Sequence, residues 1–170
     1  MNRKVYMAFI DYSKAFDRVQ HKKLMEVMRR TGIPELEKRL IANLYWGQTA
    51  VVKIGNDISE SFTVKKGVRQ GCILSPVLFN LYTDYMIEEA FEDLEGIRIN
   101  GENLTNIRYA DDTVLVAESE NKLQILLQSL NDKCKEYGMS LNKNKTKVMV
   151  LDGRATVSYT HLRAHETFRY

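Results

Sequence analysis

Apolar residues recur along this chain with two different periods. Val5 to Ile10 reads Val-Tyr-Met-Ala-Phe-Ile, an unbroken apolar run of strand length, as a buried central strand requires. The spacing then lengthens to that of a helix. Leu24, Met25 and Met28 share one face of a helix entered from Asp17-Arg18-Val19-Gln20 and ended by Thr31-Gly32 and Pro34. A second helix runs from Glu35 to Tyr45, with Leu36, Leu40, Ile41 and Leu44 inward and Gly47 as its stop. Ala50 to Ile54 and Ser61 to Val64 read as strands about the polar turn Gly55-Asn56-Asp57. Ser75 as N-cap and Pro76 at the first helical position open a helix carrying Leu78, Leu81, Tyr82, Tyr85 and Met86 on one stripe. A polar connection, Glu92 to Gly101, holds a short strand, and Tyr109 to Asp112 joins two short apolar runs as a hairpin. Ser119 caps a further helix with Leu123, Leu126, Leu127, Leu130, Cys134 and Tyr137 at helical spacing, and Gly138 ends it in a left-handed cap. Thr146 to Leu151 is the last strand. This order predicts an α+β fold, a mainly antiparallel sheet with helices packed on one face.

Composition narrows the class. A length of 170 residues favours one domain, and 44% apolar residues suffice for a core. With 25 basic and 22 acidic residues the net charge is +3, small for a complete protein that grips a nucleic-acid duplex. Cys72 and Cys134 lack metal-type spacing and read as free thiols in a reducing compartment. No apolar run approaches a membrane span, and no secretory segment follows Met1. An intracellular protein without a membrane partner is expected, nucleus or cytoplasm left open. From residue 153 onward the alternation ends, and 153–170 is similar to translated adaptor or vector sequence, or else is a genuine divergent terminus. The folded part is therefore expected over 1–152.

The candidate chemistry lies in the carboxylates. Asp111 and Asp112 are adjacent at a strand–turn–strand junction, where like charges repel. A hard divalent cation such as Mg²⁺ cancels that repulsion. Asp11 ends the buried first strand, a natural position for a metal ligand. If that strand lies beside the hairpin, three carboxylates converge, enough to hold two Mg²⁺ ions roughly 3.5–4 Å apart for phosphoryl or nucleotidyl transfer. Asp residues also serve as caps and turn formers, which is the competing role for each. Successive strand residues point to opposite faces, so Asp112 joins Asp111 at one site only if the turn geometry allows it.

Four segments in order resemble the palm motifs of reverse transcriptases, nearest to the non-LTR (LINE-type) retrotransposon branch. They are Phe9-Ile10-Asp11-Tyr12-Ser13-Lys14-Ala15-Phe16-Asp17, Gly67-Val68-Arg69-Gln70-Gly71-Cys72-Ile73-Leu74-Ser75-Pro76, Tyr109-Ala110-Asp111-Asp112, and Gly138-Met139-Ser140-Leu141-Asn142 with Lys145-Thr146. The resemblance spans roughly residues 5–150 and implies a polymerase palm. It implies RNA-directed DNA polymerase activity, with Asp11, Asp111 and Asp112 as catalytic metal ligands and two Mg²⁺ ions, Mn²⁺ able to substitute. Lys145 is implied at the departing pyrophosphate, or else is a solvated charge in a lysine-rich run. Phe16 matches a steric gate against a 2′-hydroxyl, or else is a core aromatic. Gln70 and Gly71 match a nucleotide- and template-facing turn, and Tyr109 a contact to the primer end or a plain strand aromatic. Arg69 either reaches a phosphate or is a solvated charge. The implied partners are an RNA template, a DNA primer and deoxynucleoside triphosphates. Fingers, thumb and endonuclease domains are expected to lie elsewhere in a parent polyprotein, leaving this piece weak or inactive alone. The alternative is a catalytically silent palm-like module or nucleic-acid-binding relic. An RNA-dependent RNA polymerase also pairs aspartates, but Phe16 and Tyr109-Ala110 argue against it.

Overall fold

A computed structural model describes residues 4–152 and the backbone of residues 156–161. In chain order the elements begin with β1 (Val5–Ile10), α1 (Ala15–Arg18), α2 (His21–Arg30) and α3 (Glu35–Tyr45). Then follow β2 (Thr49–Ala50), β3 (Lys53–Ile54), β4 (Asp57–Ile58), β5 (Phe62–Thr63) and α4 (Leu74–Phe91). The remainder is β6 (Ile97–Ile99), β7 (Glu102–Leu104), β8 (Asn106–Tyr109), β9 (Asp112–Ala117), α5 (Glu120–Glu136), β10 (Lys147–Asp152) and β11 (Thr156–His161). The chain divides into two compact units, Met1–Ala15 with Thr83–Tyr170, and Phe16–Tyr82.

The first unit is built on a five-stranded antiparallel sheet in the order β11-β10-β1-β9-β8. The apolar β1 lies inside it, between β9 and β10, as its composition requires. Alternation across the pleat sorts the side chains. Ala8 and Ile10 of β1 and their register partners Leu115 and Thr113 are buried, whereas Phe9 is 39% and Ile107 52% exposed. Helix α5 lies against β1 and β9 and supplies the cover. Its start follows from Ser119, whose hydroxyl accepts the Lys122 N–H at 3.2 Å. Leu123, Leu126, Leu127, Leu130, Cys134 and Tyr137 are all buried, and Gly138 (φ 67°) ends the helix. The second half of α4 is tied to α5: Ser129 Oγ donates to the Ala90 carbonyl at 2.6 Å, and Tyr137 Oη donates to Glu89 at 2.9 Å. The expected short strand in the polar connection is β6, paired with β7.

Gly96 is required there by space. A Cβ at this position would collide with the Leu104 carbonyl oxygen and fall 2.6 Å from Thr105 Cα, both backbone atoms. Gly96→Ala is therefore expected to cost about 1–3 kcal/mol, as overpacking does, read as a lower urea midpoint at unchanged slope. Thiol chemistry provides a second check. Cys134 is buried, and burial pushes its thiol up from 9.0 to about 12. Cys72 is partly exposed. Iodoacetamide at pH 8 should modify one thiol in the native protein, Cys72, and both after denaturation. The folded state keeps the proton that the unfolded chain releases, so this contribution is full below pH 9 and is lost as pH rises toward 12.

The second unit holds α1–α3, β2–β5 and the first half of α4. Leu24 and Met28 of α2 are buried as expected, joined by Val27 and His21. Three expectations are corrected. Leu36 and Leu40 of α3 do not face inward but are 66% and 58% exposed, with Leu44 also exposed. Helical periodicity identifies an apolar face, not what covers it. The strands at 50–54 and 61–64 break into a ribbon of two-residue pairs, β2 with β5 and β3 with β4, turning at Gly55-Asn56 with Asp57 already in β4. Helix α4 begins at Leu74, so Ser75 is not its N-cap; the Ser75 hydroxyl instead donates to the Arg69 carbonyl at 2.5 Å. In the second half of the chain the strand expected over 146–151 is β10, and the backbone of β11 pairs with it. Residues 153–155 and 162–170, and the side chains of 156–161, lie outside the described residues, and with them the expected change of character after residue 152.

Candidate active site

The register of the sheet brings the aspartates to one end of it. β1 and β9 run antiparallel with Ile10 opposite Thr113, so one step further Asp11 falls level with Asp112. In the β8–β9 hairpin Tyr109 pairs with Asp112. Tyr109, Asp112 and Asp11 thus form a row across β8, β9 and β1, with Asp111 in the turn just beyond. Ala110 makes that turn with φ of 54°, left-handed backbone that costs a non-glycine residue roughly 1 kcal/mol and is commonly kept at functional sites. Asp111 and Asp112 are exposed, Asp11 is half-buried, and Tyr109 is 84% exposed, so none has a packing role that explains it. Nearby in the same unit, Arg108 donates to Asp84 at 2.5 Å.

The fourth motif is anchored to the exit of β1 by backbone hydrogen bonds. Ser13 N–H donates to the Ser140 carbonyl at 2.8 Å, Asn142 N–H donates to the Asp11 carbonyl at 2.7 Å, and Tyr12 bridges Leu141. The Asn142 carbonyl then accepts from Lys145 and Thr146, closing a tight turn. This clamp carries Lys145 Nζ to 3.9 Å from Asp11 Oδ2, both groups remaining solvated at 70% and 39% side-chain exposure. Such an exposed pair contributes little stability. It does set a cation beside the acidic row. Among the described residues Ser140 and Asn142 make these contacts through main-chain atoms, so their side-chain identity conveys no sign of the role.

Among the described residues no three His, Cys, Asp or Glu side chains are gathered into a metal cage. The donor set at the sheet end is nonetheless all carboxylate oxygen, suited to a hard cation that also takes ligands from a substrate.

The second unit holds the remaining candidates. Phe16 sits in α1 with its ring stacked on Phe79, centroids 4.7 Å apart and planes 11° from parallel. Phe79 is fully buried, so it backs a half-buried Phe16 from one side. Phe79 belongs to none of the four motifs and is missed on sequence alone, although it falls at helical spacing with Tyr82 and Met86 on the same apolar stripe. The second motif is folded onto this segment. Val68 N–H donates to the Phe16 carbonyl at 2.9 Å and Gly67 N–H to the Val19 carbonyl at 2.7 Å. Gly67 (φ 95°) also lies close to Asp17, where a Cβ would come within 3.3 Å of backbone. Gln70 Nε2 donates to Asp17 Oδ1 at 3.3 Å, so Asp17, within α1, orients the glutamine. Gly71 (φ 81°) is exposed, and a Cβ at this position would meet no other described atom within 4 Å. Arg69, read as either a phosphate contact or a free charge, donates to the Leu44 carbonyl at 3.2 Å.

Comparison with known proteins identifies the family. The family model for reverse transcriptase (RNA-dependent DNA polymerase) matches residues 1–170. The chain is 33% identical over 167 residues to the Retrovirus-related Pol polyprotein from type-2 retrotransposable element R2DM of Drosophila melanogaster. It is 27% identical over 164 residues to the corresponding type-1 element R2 protein of Nasonia vitripennis. These matches cover 98% and 96% of the chain but only 16% of each relative, so the chain spans about a sixth of their length. Among solved structures, telomerase from Candida tropicalis superposes with a TM-score of 0.71 at 20% identity, covering 93% of this chain and 27% of that one, a likeness of fold. With four motifs in order, a palm-type antiparallel sheet and a family match over its whole length, the chain belongs to the reverse transcriptase family.

Proposed function

We propose that the chain is the catalytic palm of an RNA-directed DNA polymerase from a non-LTR retrotransposon, carrying out template-directed nucleotidyl transfer by a two-metal mechanism. The observation that carries this reading is the register that sets Asp11 level with Asp112 at the end of the sheet, with Asp111 in the adjoining turn. Asp11, Asp111 and Asp112 would hold two Mg²⁺ ions, which suits a cation bound by one or two carboxylates together with substrate phosphates and water. When bound, these ions supply Lewis acidity to the primer hydroxyl and the triphosphate. The primer 3′-oxygen forms a bond to the α-phosphorus, its proton passes to solvent water, and the bond from that phosphorus to the leaving pyrophosphate breaks.

The chain's own residues align and neutralise. Lys145 Nζ, 3.9 Å from Asp11 Oδ2, is placed to neutralise or protonate the leaving pyrophosphate. Phe16, backed by Phe79, stacks under the sugar and excludes a 2′-hydroxyl. Gln70, oriented by Asp17, positions the incoming base or ribose, and Gly71 lets backbone approach the base pair. Tyr109, exposed at the edge of the row, packs against the primer end. Sequence selection comes from base pairing to an RNA template, with a DNA primer and deoxynucleoside triphosphates completing the substrates. The rest of a longer polyprotein would supply fingers and thumb.

The test is single-turnover extension of a DNA primer on an RNA template with Mg²⁺ and all four deoxynucleotides. Extension that follows the template and ceases on chelation of the metal supports the proposal. RNA binding with no extension at any metal concentration, when the same palm is assayed together with fingers and thumb, favours a silent palm-like module.

A further inference from the structure

We propose that the second unit carries a binding cleft for single-stranded nucleic acid, centred on Trp46, that lies outside the four motifs. The cleft has a volume of about 500 Å³ and is lined by His21, Tyr45, Trp46, Lys22, Lys65 and Lys66 among others, with no Asp or Glu in its lining. The three lysines are exposed and make no ion pair among the described residues. A cluster of unneutralised cations around an apolar cleft selects an anionic ligand with an apolar, flat part.

The aromatic groups are arranged for that flat part. Trp46 is 51% exposed, and the His21 ring lies beside its indole, tilted by 44° at a centroid distance of 6.4 Å. His21 is fixed in turn. Its Nε2 donates to the Gly67 carbonyl at 2.8 Å, and its ring lies 5.2 Å from that of Tyr45. A supported half-exposed indole is a stacking platform for a base, and the lysines track the phosphates that follow it. The backbone bridge between Gln20 and Lys66 holds the two lysine-bearing segments together across the cleft. Tyr45 adds a polar atom in need of a partner, since its hydroxyl is buried without a hydrogen bond among the described residues. Several cations around one platform fit a strand with successive phosphates better than a single nucleotide, so the occupant is a polynucleotide strand.

Trp46 is the sole tryptophan of the chain, so its emission reports on this cleft alone. The experiment titrates an oligouridylate of about 12 nucleotides, within the site sizes of single-strand binders, in chelator and without deoxynucleotides. The readout is therefore independent of nucleotidyl transfer and of the metal site. Saturable quenching of Trp46 is expected. The Lys22→Ala/Lys65→Ala/Lys66→Ala protein should bind more weakly, and the slope of log affinity against log salt should fall by about 2, roughly 0.7 per phosphate contact on a single strand. Trp46→Ala, followed by anisotropy of labelled RNA, should weaken binding about 5- to 150-fold, the range for loss of one base stack. RNA binding that leaves Trp46 emission unchanged overturns the proposal, as does an unaltered salt slope in the triple variant. Equal quenching by polyglutamate of matched charge also overturns it and assigns the cleft to an acidic protein segment.

Discussion

Replacing Asp111 and Asp112 together by Asn is expected to lower RNA-templated primer extension at least about a thousandfold, ~4 kcal/mol of transition-state stabilisation. The amide keeps the shape of each side chain and removes the charge that would hold the metal ions. Stability should move the other way or not at all. Both residues are exposed at the end of β9 and its turn, so no packing is lost, and the repulsion within the carboxylate row is relieved. A melting temperature equal to or above that of the parent protein, measured without metal, would accompany the lost extension. That opposition of stability and activity is characteristic of a functional charge cluster. A double variant that melts well below the parent protein would assign these aspartates to the fold instead.

The second large effect is expected at Phe16. If its ring excludes a ribose 2′-hydroxyl, Phe16→Val opens the space and raises ribonucleotide incorporation relative to deoxynucleotide by about 5- to 150-fold. That range corresponds to relief of a steric conflict of about 1–3 kcal/mol. The cost falls on stability, because Phe79 loses its stacked partner at 4.7 Å, worth about 0.5–1.5 kcal/mol beyond the buried area. Competition of each ribonucleotide against its deoxy counterpart on one template reads the first effect, and a urea melt reads the second. Lost stability with unchanged sugar preference would make Phe16 an ordinary core aromatic.

Much of the fold is legible in local pattern. Six apolar residues in a row mark β1 as an interior strand, and Ser119 and Gly138 bound α5 through chemistry that operates within a few residues of each end. What depends on distant partners is less legible. The face of α3 carrying Leu36 and Leu40 has the period of a buried stripe, yet it is exposed, because period does not say what lies opposite. Ser75 has the composition of a cap, but its hydroxyl is engaged by the Arg69 carbonyl and the helix already starts at Leu74, two residues before Pro76. The residues of the candidate site can be named from their motifs, but their proximity cannot. That Asp11 stands level with Asp112 depends on β9 being the neighbour of β1 and on its register, and that Lys145 comes within 3.9 Å of Asp11 depends on main-chain hydrogen bonds from residues 140–142.

Asp11, Asp111 and Asp112 are proposed to hold divalent metal at the end of the β1–β9 ladder. Paramagnetic broadening of backbone amide signals by substoichiometric Mn²⁺ tests it directly, since the effect is local to the bound ion and requires no turnover. Loss of the Asp11, Tyr12, Ala110, Asp111 and Asp112 signals before all others, abolished in the Asp111→Asn/Asp112→Asn protein, is the expected result. Broadening centred on another acidic surface, or retained undiminished in that variant, would contradict it.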